Sequence, residues 1–146
     1  MDMISDYLEN KLIDQIFRGQ AYSFPTTLHV ALLTASPADA GGGAEISGGS
    51  YARVAVVGSL ANWAGTQAAA STVASIGTSG TTSNNGAITF AAPTANWGVA
   101  SHFGIYDAST AGNLLFYGAL TQAKTINNGD AAPSFPAGTL SLQLDN

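Results

Sequence analysis

The run VASHFGIY-DASTAGN-LLFYGAL (Val99–Leu120) decides the fold. Its two outer parts, Val99–Tyr106 and Leu114–Leu120, are rich in aliphatic and aromatic residues that fit a pleated, half-buried surface. The polar stretch Asp107–Asn113 between them is a short connection, so the run reads as two strands and a turn region. Working outward, the same pattern recurs. Thr27–Thr34 (TLHVALLT) places Leu28, Val30 and Leu32 on one face and is ended by Pro37. Tyr51–Val57 (YARVAVV) sets Tyr51, Arg53, Ala55 and Val57 opposite Ala52, Val54 and Val56. Further strands are expected at Ala87–Ala91, about Ala123–Ile126, and Gly138–Leu144, with hairpin-type turn signals at Asn85-Gly86 and Asn128-Gly129. Seven or eight short strands in a chain of 146 residues predict a mainly β fold, an antiparallel β-sandwich or jelly roll, as one domain over residues 1–146.

One segment departs from this pattern. Ile4, Leu8, Leu12 and Ile16 recur at a spacing of four, and Ile13 and Phe17 widen the stripe, which predicts an amphipathic helix over 5–18. Ser5 or Asp6 caps its start, Glu9 completes a capping box with Asp6, Asp14 can pair with Arg18, and Gly19 stops it. A helix this short is marginal alone, so its stripe must dock, on the domain's own sheet or on an adjacent subunit. Two stretches are read as loops. Ala38–Ser50 contains Gly41–Gly43 and Gly48–Gly49, and Ala64–Asn84 is low-complexity Ala, Thr, Ser and Gly broken only by Val73 and Ile76. The second is long for a structureless loop. It is expected to be a loop holding a weak strand or helical turn, or an arm that orders on a neighbour. Ala-Asn-Trp occurs twice, at Ala61–Trp63 and Ala95–Trp97, and is read as marking equivalent corners of the two sheets.

Composition narrows the function. Apolar residues make up 46 % and charged residues only 9 %, against roughly 25 % in ordinary soluble proteins, so the chain folds instead of staying disordered. No apolar run reaches the ~18 residues of a membrane span, and no basic-then-apolar leader is read in the opening residues. With no cysteine there are no disulfides or thiolate metal sites, consistent with synthesis in a reducing cytoplasm. A net charge of −5 and only four basic residues, Lys11, Arg18, Arg53 and Lys124, argue against nucleic acid and anionic membrane as partners. From Val54 to Tyr106 there is no Asp, Glu, Lys or Arg. Protein contacts are depleted of charge at their centres, so a surface hidden by neighbours explains this better than a free monomer does.

Catalytic constellations are sparse. Ser101, His102 and Asp107 are the nearest approach to a triad, but a strand would spread them along its length and no G-x-S-x-G elbow occurs. His29 stands alone in the first strand, and no H-x-x-x-H spacing joins it to a second ligand. The glycine clusters match no phosphate-binding loop, and Asp39 and Glu45 lack the order of a calcium loop. The expectation is no enzyme, no cofactor and no metal. Trp63, Trp97, Tyr51, Tyr106 and Tyr117 are candidates for stacking on sugar rings, although aromatics in strands more often fill a core.

Several runs carry a family resemblance: Asp6–Leu12 (DYLENKL), Leu28–Thr34 (LHVALLT), Gly48–Val56 (GGSYARVAV), His102–Ala108 (HFGIYDA), Gly112–Leu120 (GNLLFYGAL) and the Leu-rich end Leu140–Leu144. Together they resemble a family of small tailed-phage virion structural proteins, over most of the chain and least across Ala64–Asn84. Members are often labelled tail-fibre proteins, and some resemble capsid cement (decoration) proteins, jelly rolls that dimerise and clamp major capsid subunits. The sequence shows no heptads, collagen triplets or β-helical repeats of a fibre shaft. The resemblance therefore implies a cement protein on the outer capsid surface, partnered by the major capsid protein and by itself as a homodimer or other homo-oligomer. A tail-fibre or tail-tip component that binds host glycan through Trp63 or Trp97 is the alternative. Contacts are expected at Leu8, Leu12 and Ile16 of the helix, at Trp63 and Trp97, and at Val73 and Ile76.

Overall fold

A computed structural model describes residues 4–144. One helix, α1 (Asp6–Phe17), precedes nine strands: β1 (Thr27–Ala35), β2 (Ala44–Glu45), β3 (Val54–Val57), β4 (Thr81–Ser83), β5 (Ile88–Thr89), β6 (Gly98–Tyr106), β7 (Leu114–Ile126), β8 (Ser134–Phe135) and β9 (Ser141–Gln143). The fold is mainly β, all pairings are antiparallel, and the layers form a sandwich of unequal halves. The larger layer is a five-stranded sheet in the order β2-β1-β6-β7, with β3 sharing the outer edge of β1. The smaller consists of two ribbons, β4–β9 and β5–β8.

Period-two patterning explains the core. Val30 lies opposite Ile105 and Leu32 opposite Phe103 in the β1–β6 register, so all four project to one face. They pack with Ile88 and Phe90 and with Leu140 and Leu142 from the ribbon side, and Trp97 and Ile126 close the cluster. The opposite face carries a smaller cluster of Ala31, Tyr106 and Leu114, flanked by Tyr117.

Asn84, only 1 % exposed, ties the small layer together. Its amide donates to the carbonyls of Gly86, Phe135 and Pro136, and its side-chain oxygen accepts from the Leu140 amide at 2.9 Å. The Asn85-Gly86 signal is thus a corner and not a hairpin: β4 pairs with β9 and β5 with β8. Asn128-Gly129 likewise turns the chain between β7 and β8, which pair elsewhere, and the Asp130 carboxylate accepts from Asn127 N–H at 2.8 Å. The two strands read at Leu114–Leu120 and Ala123–Ile126 are one strand, β7, with an irregular register against β6. β2, β4 and β8 carry no periodic signal because each is only two or three residues long.

Candidate interaction surface

The helix begins tied to the sheet. Ser5 N–H donates to Leu115 O at 3.0 Å, and the Ser5 hydroxyl donates to Leu114 O at 2.5 Å while accepting from Leu8 N–H at 3.3 Å. Ile4 bridges Phe116, so the approach to α1 is stitched to the outer edge of β7. Asp6 and Glu9 in the first turn complement the helix dipole. At the other end Arg18 and Gln20 N–H both reach Asp14 O, and Gly19 adopts φ +67°, the left-handed stop that glycine accepts without strain. The chain then doubles back: Gln15 Oε1 accepts from Tyr22 N–H at 2.7 Å, and Tyr22 packs edge-on against Tyr7 and Phe24.

Cover thins along the helix stripe. Leu8 is 5 % exposed and Leu12 half-buried, but Ile13 is 49 %, Ile16 66 % and Phe17 79 % exposed, and Phe24 just beyond is 56 % exposed. Four large apolar side chains are thus left uncovered over one helix end and its return segment.

The low-complexity stretch folds upon itself through small polar side chains. Thr66 Oγ1 accepts from Gly77 N–H at 3.0 Å and donates to Gly77 O at 3.2 Å, Ser79 Oγ donates to Thr66 O, and Gln67 Oε1 accepts from Ile76 N–H. A Cβ on Gly77 would fall 2.4 Å from Thr66 O, so only glycine lets the two arms of this loop close. Its ends are anchored by β4 and by the Trp63–Asn84 bridge. Val73 and Ile76 project outward at 58 % and 82 % exposure.

The glycine-rich loop Ala38–Ser50 is also held. Arg53 forms a two-pronged pair with Glu45, Nε to Oε1 at 2.9 Å and Nη2 to Oε2 at 2.7 Å. Its Nη1 donates to Ala108 O and Ala111 O, and its guanidinium lies 3.7 Å from the Tyr106 ring centre. Burial would lower the Arg53 pKa, but the hydrogen bonds and charge of Glu45 outweigh it and raise it. Tyr51 fills the gap on the edge of β1 between β3 and β2: its hydroxyl accepts from Leu32 N–H at 3.0 Å and donates to Glu45 Oε1 at 2.9 Å. Burial, aided by the Glu45 charge, pushes its phenol well above the ordinary range.

The residues expected to carry contacts or chemistry are dispersed. Leu8 and Trp97 (6 % exposed), expected at contacts with neighbours, are buried within the chain itself. Trp97 stands edge-on to Tyr51 and donates Nε1–H to Gly49 O at 2.9 Å, leaving no ring face for a sugar. Trp63 is half-buried against the core, whereas Ile16, Val73 and Ile76 remain uncovered. The asparagines of the two Ala-Asn-Trp tripeptides act differently: Asn62 Nδ2–H donates to Val57 O, whereas Asn96 Oδ1 accepts from Asn128 N–H. Ser101 and His102 Nδ1 meet at 2.8 Å, but both carboxylate oxygens of Asp107 bind Asn113, roughly 16 Å farther along the strand. His29 lies opposite Tyr106 in the β1–β6 register, with Nδ1 buried and unpaired among the described residues. Asp39 accepts from Tyr117 and Glu45 holds Arg53, so neither faces an open loop. Among the described residues no three His, Cys, Asp or Glu side chains gather as metal ligands, and no helix is long and apolar enough to cross a membrane.

Sequence reading missed Phe24 and the knot of Glu45, Arg53 and Tyr106. A lone arginine in an otherwise uncharged stretch was the available signal for the knot, since such a charge is kept only where it has a partner.

The chain is a β-sandwich whose helix is tethered at its start and uncovered at its end. Residues 3–143 match the family model described as podophage GP4 fiber I protein gp80. That match spans nearly the whole chain, and the protein belongs to this family of phage structural proteins, whose place is the virion. No curated protein matches the sequence.

Proposed function

We propose that the chain is a fibre component of a tailed-phage particle, built into an assembly of several copies and acting by binding without catalysis. The observation that carries this reading is the match of residues 3–143 to a podophage fibre protein. It moves the balance away from the capsid-cement role that the sequence resemblance favoured. The missing shaft repeats fit a short globular module attached within a fibre as well as they fit a cement protein.

The contact surface in this reading is the uncovered end of α1. Covering Ile13, Ile16 and Phe17 would contribute about 1.5–3 kcal/mol for each side chain fully buried. Val73 and Ile76 on the Ala64–Asn84 loop offer a second apolar contact, in keeping with the charge-free stretch that contains them. The partner proposed for these surfaces is first another copy of the chain. The major capsid protein and the outer shell belong to the cement alternative.

Copy number and position test the reading. In purified particles, a fibre component should be present at a small fraction of the major capsid protein, and antibody label should decorate appendages. Label spread over the shell at numbers comparable to the capsid protein would overturn the fibre reading in favour of cement.

A further inference from the structure

Register and packing together open a cleft of about 290 Å³ between β7 and the ribbon layer. On β6 one residue, Ser101, separates the partners Ala100 and His102; on β7 four, Leu120–Ala123, separate Lys124 and Ala119. The surplus pushes β7 outward as a bulge, a device common beside binding sites because it re-aims side chains. Below the bulge Phe90, Phe103, Ile126 and Leu140, each 1–4 % exposed, back the cleft from the core, and half-buried Leu120 supplies part of its accessible apolar surface. Half-buried Phe135 forms one wall.

The rim has a different chemistry. Thr121, Gln122 and Ser141 line it, and none commits its side chain to a hydrogen bond with a described residue. Among the described residues Lys124 is the one charged side chain lining the cleft, and it forms no ion pair with any of them. No carboxylate among the described residues lines it. An apolar wall, polar side chains on the rim and a lysine without an ion-pair partner among the described residues suit a ligand with a C–H face, hydroxyls and a negative charge. The volume lies at the small end of the roughly 300–1,000 Å³ of ligand pockets, enough for one ring and little more.

We propose that this cleft binds a single acidic sugar residue, a hexuronic acid unit of a surface polysaccharide, with its carboxylate on Lys124 and its hydroxyls on Gln122, Thr121 and Ser141. The biological sense of this rests on the fibre reading, since an appendage meets the host surface. One such contact is weak, but several copies in one appendage raise the effective concentration enough to hold.

The test is an NMR titration of the full chain with methyl β-D-glucuronoside, with methyl β-D-glucoside as the neutral control. The expected result is saturable amide shifts confined to 119–126 and 133–141, with the neutral sugar about tenfold weaker, as for loss of one charge-assisted hydrogen bond. Lys124→Met should weaken glucuronoside binding about tenfold with an unchanged melting temperature, because the side chain is exposed. Ser141→Ala should weaken both sugars. Absence of saturable shifts, equal binding of the two sugars, or equal binding by Lys124→Met would overturn the proposal. So would shifts at the cleft that follow protein concentration without sugar, which would assign it to contact between copies. None of these outcomes bears on where the protein sits in the particle, which the antibody label reads independently.

Discussion

On the inner face of the sheet Val30, Leu32, Phe103 and Ile105 are 0–4 % exposed; on the helix Ile13, Ile16 and Phe17 are 49–79 % exposed. Both sets follow the period of their element, two for the strands and near four for the helix. What differs is the cover. The sheet face is closed by ribbons that the same chain brings back across it, through Asn84 and the strands on either side. The helix is pinned at its start by Ser5 and Ile4 to the edge strand β7, and the cover it gains there does not extend to its last turns. Periodicity therefore identifies an apolar face, while connectivity decides whether the chain itself covers it.

The comparison breaks most readily on the covered side. Ile105→Ala should cost about 2–5 kcal/mol through a cavity at a fully buried position. Asn84→Ala should cost about 1–3 kcal/mol, because it leaves the buried Leu140 amide without an acceptor, while the exposed Gly86 can turn to water and the Pro136 carbonyl keeps its bonds from Thr139. Chemical denaturation of the free protein reads both. If Asn84→Ala were nearly neutral, the ribbons would not be the cover they are taken to be.

Arg53→Ala comes next, at about 2–3 kcal/mol. Removing one partner of a buried pair leaves the other uncompensated, although Glu45 keeps some access to water and so softens the penalty. The same denaturation series measures it, and hydrogen exchange should rise at Ala108–Ala111, where the guanidinium ties the β6–β7 connection.

Alkaline pH probes the same knot more gently. The Tyr51 phenol is raised in the fold, by burial first, and Tyr106 shifts in the same direction. The unfolded chain releases these protons near pH 10 while the fold retains them, so the contribution is fully present below about pH 10 and is lost as pH rises above it. Stability should be flat up to about pH 9 and then fall. Tyr51→Phe should lose about 1 kcal/mol at neutral pH, from the bonds to Leu32 and Glu45, and then decline less steeply above pH 10. Parallel slopes for the two proteins would remove Tyr51 from the account.

These positions also show what could be read from the sequence. β1, β6, β7 and α1 were legible because each is long enough to display its period, and the sandwich class follows from them. β2, β4 and β8 were not, since two or three residues hold no period and are strands only because a distant partner pairs with them. Asn84 resembled one more turn residue beside Asn85-Gly86; its role depends on carbonyls some fifty residues away, at Phe135 and Pro136. The burial of Trp97 was hidden for a related reason: its cover comes from Gly49, distant in sequence, which at φ +55° lies directly against its ring nitrogen, where a Cβ would fall 2.8 Å away. The cleft beside Lys124 was invisible because it arises from a register slip that only strand pairing reveals.

The smallest effect on stability should come from the helix end, and it tests the comparison itself. Ile16→Asp combined with Phe17→Ser places polar groups where water already reaches, so the melting temperature of the free protein should hold within the range of ordinary surface substitutions, about 0.5 kcal/mol either way. Leu8→Asp, one turn from the anchor, should instead unfold the docking and lower the stability by several kcal/mol, because a charge would enter an apolar site without a partner. If the uncovered face meets a neighbour, the double variant should fold normally yet fail to enter particles when supplied in place of the natural chain. Normal incorporation would mean that the exposed end is merely tolerated, and the difference in exposure between Leu8 and Phe17 would then reflect only how far the helix outreaches the sheet.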